Sequence, residues 1–261
     1  MDIKKAIRIY QGRYLSLFGQ IENSPAFIFG NQKSGTTAIA AMIGYACRIS
    51  TTLDLWNEIK NPTFQTIRND ADFGQFIKRN KGDFCRKIIK EPNLSLFIEE
   101  IYQHFENPRA IFIIRDPRHN IRSICNRMDL AGDLVCIEEI EDRISRAWRY
   151  VLDNSWRGIS GDSYIESLAN RWCYMNNLYE KYRKYMTLIR YEDFCLDKQA
   201  TINRSLDILG LPNRRPIKSI ADKQFQFKGN KVGNVEFFSG EALELINIIC
   251  KKQMIEYGYQ P

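Results

Sequence analysis

Short apolar runs alternate along the chain with longer stretches in which apolar residues recur every three or four positions. The runs at residues 25–30, 86–90, 109–114 and 186–190 are five or six residues long. Such runs read as strands. Helix-like spacing fills the segments between them. Residues 137–152 place Ile137, Ile140, Ile144, Trp148 and Val151 on one helical face. Residues 164–185 repeat the pattern with Leu168, Trp172, Met175, Tyr179 and Tyr182, and these stripes are read as core packing. Strands alternating with helices predict a parallel sheet with helices on both faces, in a single domain spanning residues 1–261. The first connection is long and helical, so sheet order does not follow from chain order. No internal repeat or low-complexity segment is visible. Two punctuating loops, DLAGDL at 129–134 and DNSWRGISGDS at 153–163, could flank a crevice beyond the carboxyl ends of the strands.

The first run ends in FIFGNQKSGTTAIAAMI, residues 27–43. A strand that turns directly into a helix gathers free backbone N–H groups and the positive helix end at one point. Gly30 and Gly35 allow close backbone approach, and Thr36 and Thr37 add hydroxyls, so the loop reads as a phosphate cradle. A nucleotide-triphosphate loop of the form G-x-x-x-x-G-K-[ST] places its lysine after the second glycine. Here Thr36 stands at that place, and the lysine lies inside the loop as Lys33. The frame suits a nucleotide with no γ-phosphate and no obligatory magnesium.

The third run leads into AIFIIRDPRHNIRSICNRM, residues 110–128. Asp116 is placed to cap a helix whose first position is Pro117, where the missing N–H costs nothing. Arg115 at the strand end and Ser123, eight residues on, can grip one phosphate from two sides, the arginine by a charge-assisted fork.

With these two segments the chain resembles the sulfotransferases that use 3′-phosphoadenosine 5′-phosphosulfate (PAPS). KSGTT is similar to their 5′-phosphosulfate loop, and R-x7-S to their 3′-phosphate motif. LIRYEDF at 188–194, which contains Tyr191, is similar to the family's strand-end R-Y-E-D, followed here by L-G-L-P at 209–212. FQFKGNKVGNV at 225–235 is similar to the K-G-x-x-G loop of cytosolic members, with one extra residue between Gly229 and Gly233. The resemblance implies an α/β, three-layer, P-loop-like fold with a central parallel sheet of four to five strands flanked by helices. It further implies sulfuryl transfer from PAPS to an acceptor hydroxyl, with PAP as product, without a metal. Lys33, Ser34, Gly35, Thr36 and Thr37 would hold the 5′ end. Arg115, Ser123, Tyr191, Lys228 and Gly229 would hold the rest of the donor.

Sulfuryl transfer is an in-line displacement in which charge builds on the leaving oxygen, so a preorganised cation is the main requirement. Lys33 is the first candidate for that role. Lys90, at the end of RKIIK, is the second, by its correspondence to a family lysine near the transferred group. The family's K-T-H histidine is absent, since this chain reads Lys90-Glu91-Pro92. Related enzymes use a carboxylate, which leaves Asp54, then Glu58, then Glu91 as candidate bases. The two histidines, His104 and His119, are expected at the surface. A P-loop kinase and a non-catalytic PAP-binding module are the rival readings.

Composition changes this picture little. With 44% hydrophobic and 26% charged residues, the 261-residue chain can bury a large core. No apolar stretch reaches the ~18 to 20 residues of a bilayer span, and no secretory signal is visible, so a cytoplasmic protein is expected. Seven cysteines without C-x-x-C spacing suit reduced thiols rather than a zinc site. A net charge of +7 suits a polyanionic ligand. Its cations are spread along the chain with no nucleic-acid motif, so nucleic acid is not an expected partner. Carbohydrates and small metabolites are the expected acceptors. Neither the acceptor nor the oligomeric state is readable.

Overall fold

A computed structural model describes residues 12, 14–225 and 232–261. Lys228 and Gly229 lie outside the described residues. One five-stranded sheet, all parallel, runs in the order β2-β3-β1-β4-β5. Its strands are β1 Ala26–Gly30, β2 Thr51–Thr52, β3 Ile88–Lys90, β4 Arg109–Ile114 and β5 Met186–Arg190. Four of them fall within the predicted runs. β2 gave no signal because two threonines make no apolar run. The principal helices are α1 Thr36–Cys47, α2 Trp56–Lys60, α3 Asp70–Arg79, α4 Ile98–His104 and α5 Pro117–Met128. They continue with α6 Arg146–Leu152, α7 Tyr164–Tyr182, α8 Tyr191–Leu196, α9 Lys198–Leu209 and α10 Gly240–Glu256.

Both sheet faces are covered, and the two-residue period sorts the strand side chains between separate cores. Ala26 and Ile28 of β1, with Ile111 and Ile113 of β4, pack on Ile39 and Ile43 of α1 and Leu206 of α9. Phe27, Phe29 and Phe112 point the other way, into a core with Phe73 of α3 and Phe97. A third core gathers Trp172 and Leu168 of α7 with Ile121 of α5 and Ile246 of α10.

Two helix expectations need correction. Residues 137–152 do not form one helix: a 3-10 turn covers Glu138–Arg143, Ile144 and Ser145 are extended, and α6 begins at Arg146. Ile140 and Val151 are still buried, so the apolar spacing is satisfied by packing rather than by a continuous helix. The second stripe ends as an α-helix at Tyr182 and tightens into a 3-10 turn over Arg183–Tyr185.

At β1 the chain order reverses, with β3 on one side and β4 on the other. Ligands of open parallel sheets bind beyond the strand carboxyl ends at such a point. Gly30 ends β1 there with φ 136°, and a Cβ on it would stand 2.4 Å from the Ile113 carbonyl oxygen. The Ser95 hydroxyl clasps the same residue, accepting from its N–H at 2.9 Å and donating to its carbonyl at 3.2 Å. Gly30→Ala is expected to lower stability by about 2 kcal/mol or more, from forbidden backbone geometry and overlap with neighbouring backbone. A shift of the urea midpoint at constant m-value measures it, and an unchanged midpoint contradicts it.

Candidate functional site

The turn out of β1 carries two residues in the left-handed region, Lys33 with φ 64° and Gly35 with φ 88°. Lysine rarely adopts this conformation, so the loop is held by its surroundings rather than by local preference. At Gly35 the ring of Tyr191 comes so close that a Cβ would stand 2.2 Å from it. α1 then starts with no side-chain cap and no acidic residue in its first turn, while Thr36 and Thr37 are buried. A buried helix start without a carboxylate or hydroxyl cap is chemically suited to an exogenous anion. Burial, then the charges of Arg127, Arg115 and Lys90, pull the Lys33 ammonium down to about 8.

Beneath the loop lies a wholly buried arginine, Arg171 of α7. Its Nε donates to Asn31 Oδ1 at 3.1 Å, and its Nη2 to Gln32 Oε1 and Asn93 Oδ1, both at 2.9 Å. Its Nη1 donates to Asn154 Oδ1. The amides are cross-linked in turn. Asn31 Nδ2 donates to Asn120 Oδ1 at 3.0 Å, and Asn120 Nδ2 reaches the Gln32 carbonyl at 2.6 Å and Ser34 Oγ at 3.0 Å. Burial lowers the Arg171 guanidinium to about 9, against the opposing charge of Glu91. At neutral pH it is a cation without a carboxylate partner in its own hydrogen-bond set.

Arg115 closes the loop from the β4 side. Its Nη1 donates to the Lys33 carbonyl at 2.8 Å, and its guanidinium lies 4.7 Å from the Tyr191 ring centroid. Its backbone is fixed from both sides. Trp172 Nε1 donates to the Arg115 carbonyl at 3.0 Å, and the next amide, of Asp116, donates to Glu192 Oε1 at 3.1 Å. Tyr259 Oη holds the other Glu192 oxygen at 2.8 Å. Asp116 caps α5 as expected, accepting from the Arg118 amide at 2.9 Å. Ser123 is half-buried in the second turn of α5, and Arg122 beside it donates to the Val232 carbonyl.

A cavity of about 430 Å³ opens beside Lys33 and brings Asp54, Glu58, Lys90 and Glu91 together along its wall. Lys90 is buried, donating to Asp54 Oδ1 at 2.6 Å and to the Leu53 carbonyl at 2.8 Å. Glu91 accepts from the amides of Leu55 at 3.3 Å and Asn93 at 3.0 Å. Burial first, then the Asp54 charge, raises its carboxyl to about 7. The Glu58 carboxylate is held by Thr63, by Asn80 Nδ2 at 3.0 Å and by Arg79 Nε at 3.4 Å. Phe64, Trp148 and Val151 form the apolar part of the lining, and Arg127 stands at its rim. His104 is exposed and His119 half-buried, and neither lines the cavity.

Sequence reading missed Arg127, Arg171 and the asparagine–glutamine set. One signal was available. Arg171 follows Leu168 by three residues on the apolar stripe of α7, where a charge needs partners.

The sulfotransferase domain family matches residues 23–241, most of the chain, and the protein belongs to that family. No curated protein matches the chain in sequence. Among solved structures it is similar to the sulfotransferase STF9 of Mycobacterium avium. That similarity has a TM-score of 0.59 and 13% identity, over 97% of this chain and 81% of the other. It is also similar to the sulfotransferase domain of the curacin biosynthetic pathway, with a TM-score of 0.52 and 14% identity, over 92% and 99%. At such identities the structural likeness speaks for the fold.

Replacing Arg171 by Leu removes the donor of Gln32 Oε1 and Asn154 Oδ1. It is expected to cost about 3 kcal/mol or more, since buried acceptors are left unmade. Arg171→Lys should recover little, because one ammonium cannot reproduce the fork. Chemical denaturation checks both, and a lysine variant as stable as the parent contradicts the role given to the fork.

Proposed function

We propose that this sulfotransferase takes its sulfuryl group from PAPS and delivers it to a hydroxyl of a carbohydrate or small-metabolite acceptor. One observation carries the reading. The uncapped, acid-free start of α1, Lys33 and the Lys90–Asp54 pair meet at one cavity beyond the switch point of the sheet. PAPS would supply the activated sulfuryl group. On this reading the amides of Gly35, Thr36 and Thr37, with Lys33 and Ser34, bind its 5′ end. Arg115 and Ser123 bind the 3′-phosphate, Tyr191 packs beside the loop, and Lys228 and Gly229 close the site. Seven unpaired cysteines, Cys136 and Cys195 exposed among them, suit a reducing compartment such as the cytoplasm.

Each side chain then has a task that its surroundings support. Lys33 stabilises the charge that grows on the leaving oxygen, and Arg115 fixes the Lys33 backbone from behind. Asp54 is the general base. It lines the cavity, one oxygen bound to Lys90 and the other left to receive the acceptor proton. Lys90 orients that carboxylate and adds positive charge next to the transfer path. Glu58 is a weaker choice, because its oxygens already serve Thr63, Asn80 and Arg79. Glu91 accepts two backbone amides and supports the wall.

A thermal-shift comparison tests the donor. PAP should raise the melting temperature well above the effect of ATP with magnesium, since a ligand that binds the native state stabilises it by mass action. Greater protection by ATP would favour a kinase. PAP binding should also depend on pH through Lys33. The ammonium is fully formed below its free-protein value of about 8 and is lost above it. Affinity should therefore be level at lower pH and fall as pH rises through about 8, with proton uptake on binding near that pH. Calorimetry in buffers of different ionisation enthalpy reads the uptake, and Lys33→Ala should abolish it.

Asp54→Asn separates base from binding. It should leave PAP affinity within about twofold and lower turnover by ~10²- to 10⁴-fold. Glu58→Gln should instead lower stability by about 1 to 3 kcal/mol, by weakening a buried hydrogen-bond set. Full turnover in Asp54→Asn would move the base to Glu91.

A further inference from the structure

Once the proposed donor contacts are assigned, one cation in the cavity has no task. Arg127 lies in the last turn of α5, whereas Arg115 precedes its first residue. Arg127 lines the cavity, whereas Arg115 does not. Among the described residues Arg127 has no hydrogen bond and no ion pair. It nonetheless lines the cavity and stands near enough to Lys33 to be the largest charge acting on it.

The end of a helix favours a basic side chain, which explains why arginine is tolerated there. It does not explain why that arginine lines the same cavity as Lys33. Arg127 is exposed at the cavity mouth, where its guanidinium is accessible to an anionic group on an incoming molecule. Lys90 is paired with Asp54, and the Glu58 carboxylate is consumed by its own neighbours. The wall around Arg127 comes from α6 and the segment after α2, with Trp148, Val151 and Phe64. Those apolar faces suit the flat body of an acceptor, and the guanidinium suits a planar anion at its edge.

We propose that the acceptor carries an anionic group, a carboxylate, sulfate or phosphate, in addition to the hydroxyl that reacts, and that Arg127 at the cavity rim recognises it. This rests on the sulfotransferase reading of the same site and narrows it. The reacting hydroxyl lies between Lys33 and Asp54, the body of the molecule lies against Trp148 and Phe64, and the anion faces Arg127. Neutral alcohols lacking the second group lose that contact and bind worse.

The test uses an isosteric pair of phenols, 4-hydroxybenzoate and 4-hydroxybenzamide, titrated into the full chain loaded with PAP, with Arg127→Gln alongside. The parent protein should bind the acid about 10- to 100-fold more tightly than the amide, the range of a charge-assisted pair. Arg127→Gln should bring the two to within about threefold of each other by weakening the acid alone. Its PAP affinity should match the parent. Equal binding of acid and amide by the parent overturns the inference, as does binding of neither, or a preference that survives in Arg127→Gln. If Arg127→Gln weakens PAP as strongly as the acid, Arg127 serves the donor instead, which also overturns it. Failure of PAP to bind the parent protein is a different result: it removes the donor reading, and this inference with it.

Discussion

The guanidinium of Arg171, sealed beneath the first loop, is the constraint on which the site depends. Removing a cation from water costs several kcal/mol unless its donors are satisfied. Four amide side chains from three places in the chain supply the acceptors: Asn31 with Gln32, Asn93 and Asn154. A carboxylate partner would have satisfied the fork more strongly, but would have cancelled its charge. Neutral oxygens leave the charge in place, in a medium that screens it poorly, against Asn31 and Gln32, the two residues that precede Lys33. One interaction thus fixes the shape of the loop and keeps the base of an anion site positive.

The same helix holds the second half of the site. Trp172, the neighbour of Arg171, donates to the Arg115 carbonyl, so consecutive residues of α7 fix the turn after β1 and the end of β4. Arg115 then spans the gap by donating to the carbonyl of Lys33, whose backbone is in the left-handed region. The two motifs are therefore not independent grips on two ends of a ligand. A change at Arg115 also removes support from the strained residue that carries the Lys33 ammonium. Tyr259 reaches the same joint from the C-terminal end through Glu192. Perturbations far from the cavity can thus act on the turn after β1 and the end of β4 together.

What the sequence disclosed follows from this arrangement. Contiguous features were legible: four strands, the KSGTT turn, and Asp116 with Pro117 opening α5. Each depends on local backbone geometry or on burial of a whole strand. β2 and the break at Ile144 were not legible, because a two-residue strand has no period and burial can keep a 3.6-residue spacing without a helix. The support of the loop was illegible for another reason: its partners lie 61 to 140 positions apart in sequence. Only the charge of Arg171 on an apolar stripe hinted at it. Asp54, Glu58 and Glu91 did converge on one cavity, yet composition could not show that Asn80 and Thr63 occupy the Glu58 oxygens.

The three remaining ionisable groups, Lys90, Asp54 and Glu91, form one electrostatic unit. Glu91 is raised to about 7 by burial and by the Asp54 charge, with Lys90 opposing. Protons on such a cluster belong to the set rather than to a single residue. A proton on Asp54 would remove its charge and, with it, the smaller of the two effects that hold a proton on Glu91. Glu91 would then ionise more readily, but burial remains the larger reason why it resists ionising, so the Asp54 charge modulates that proton and does not by itself decide it.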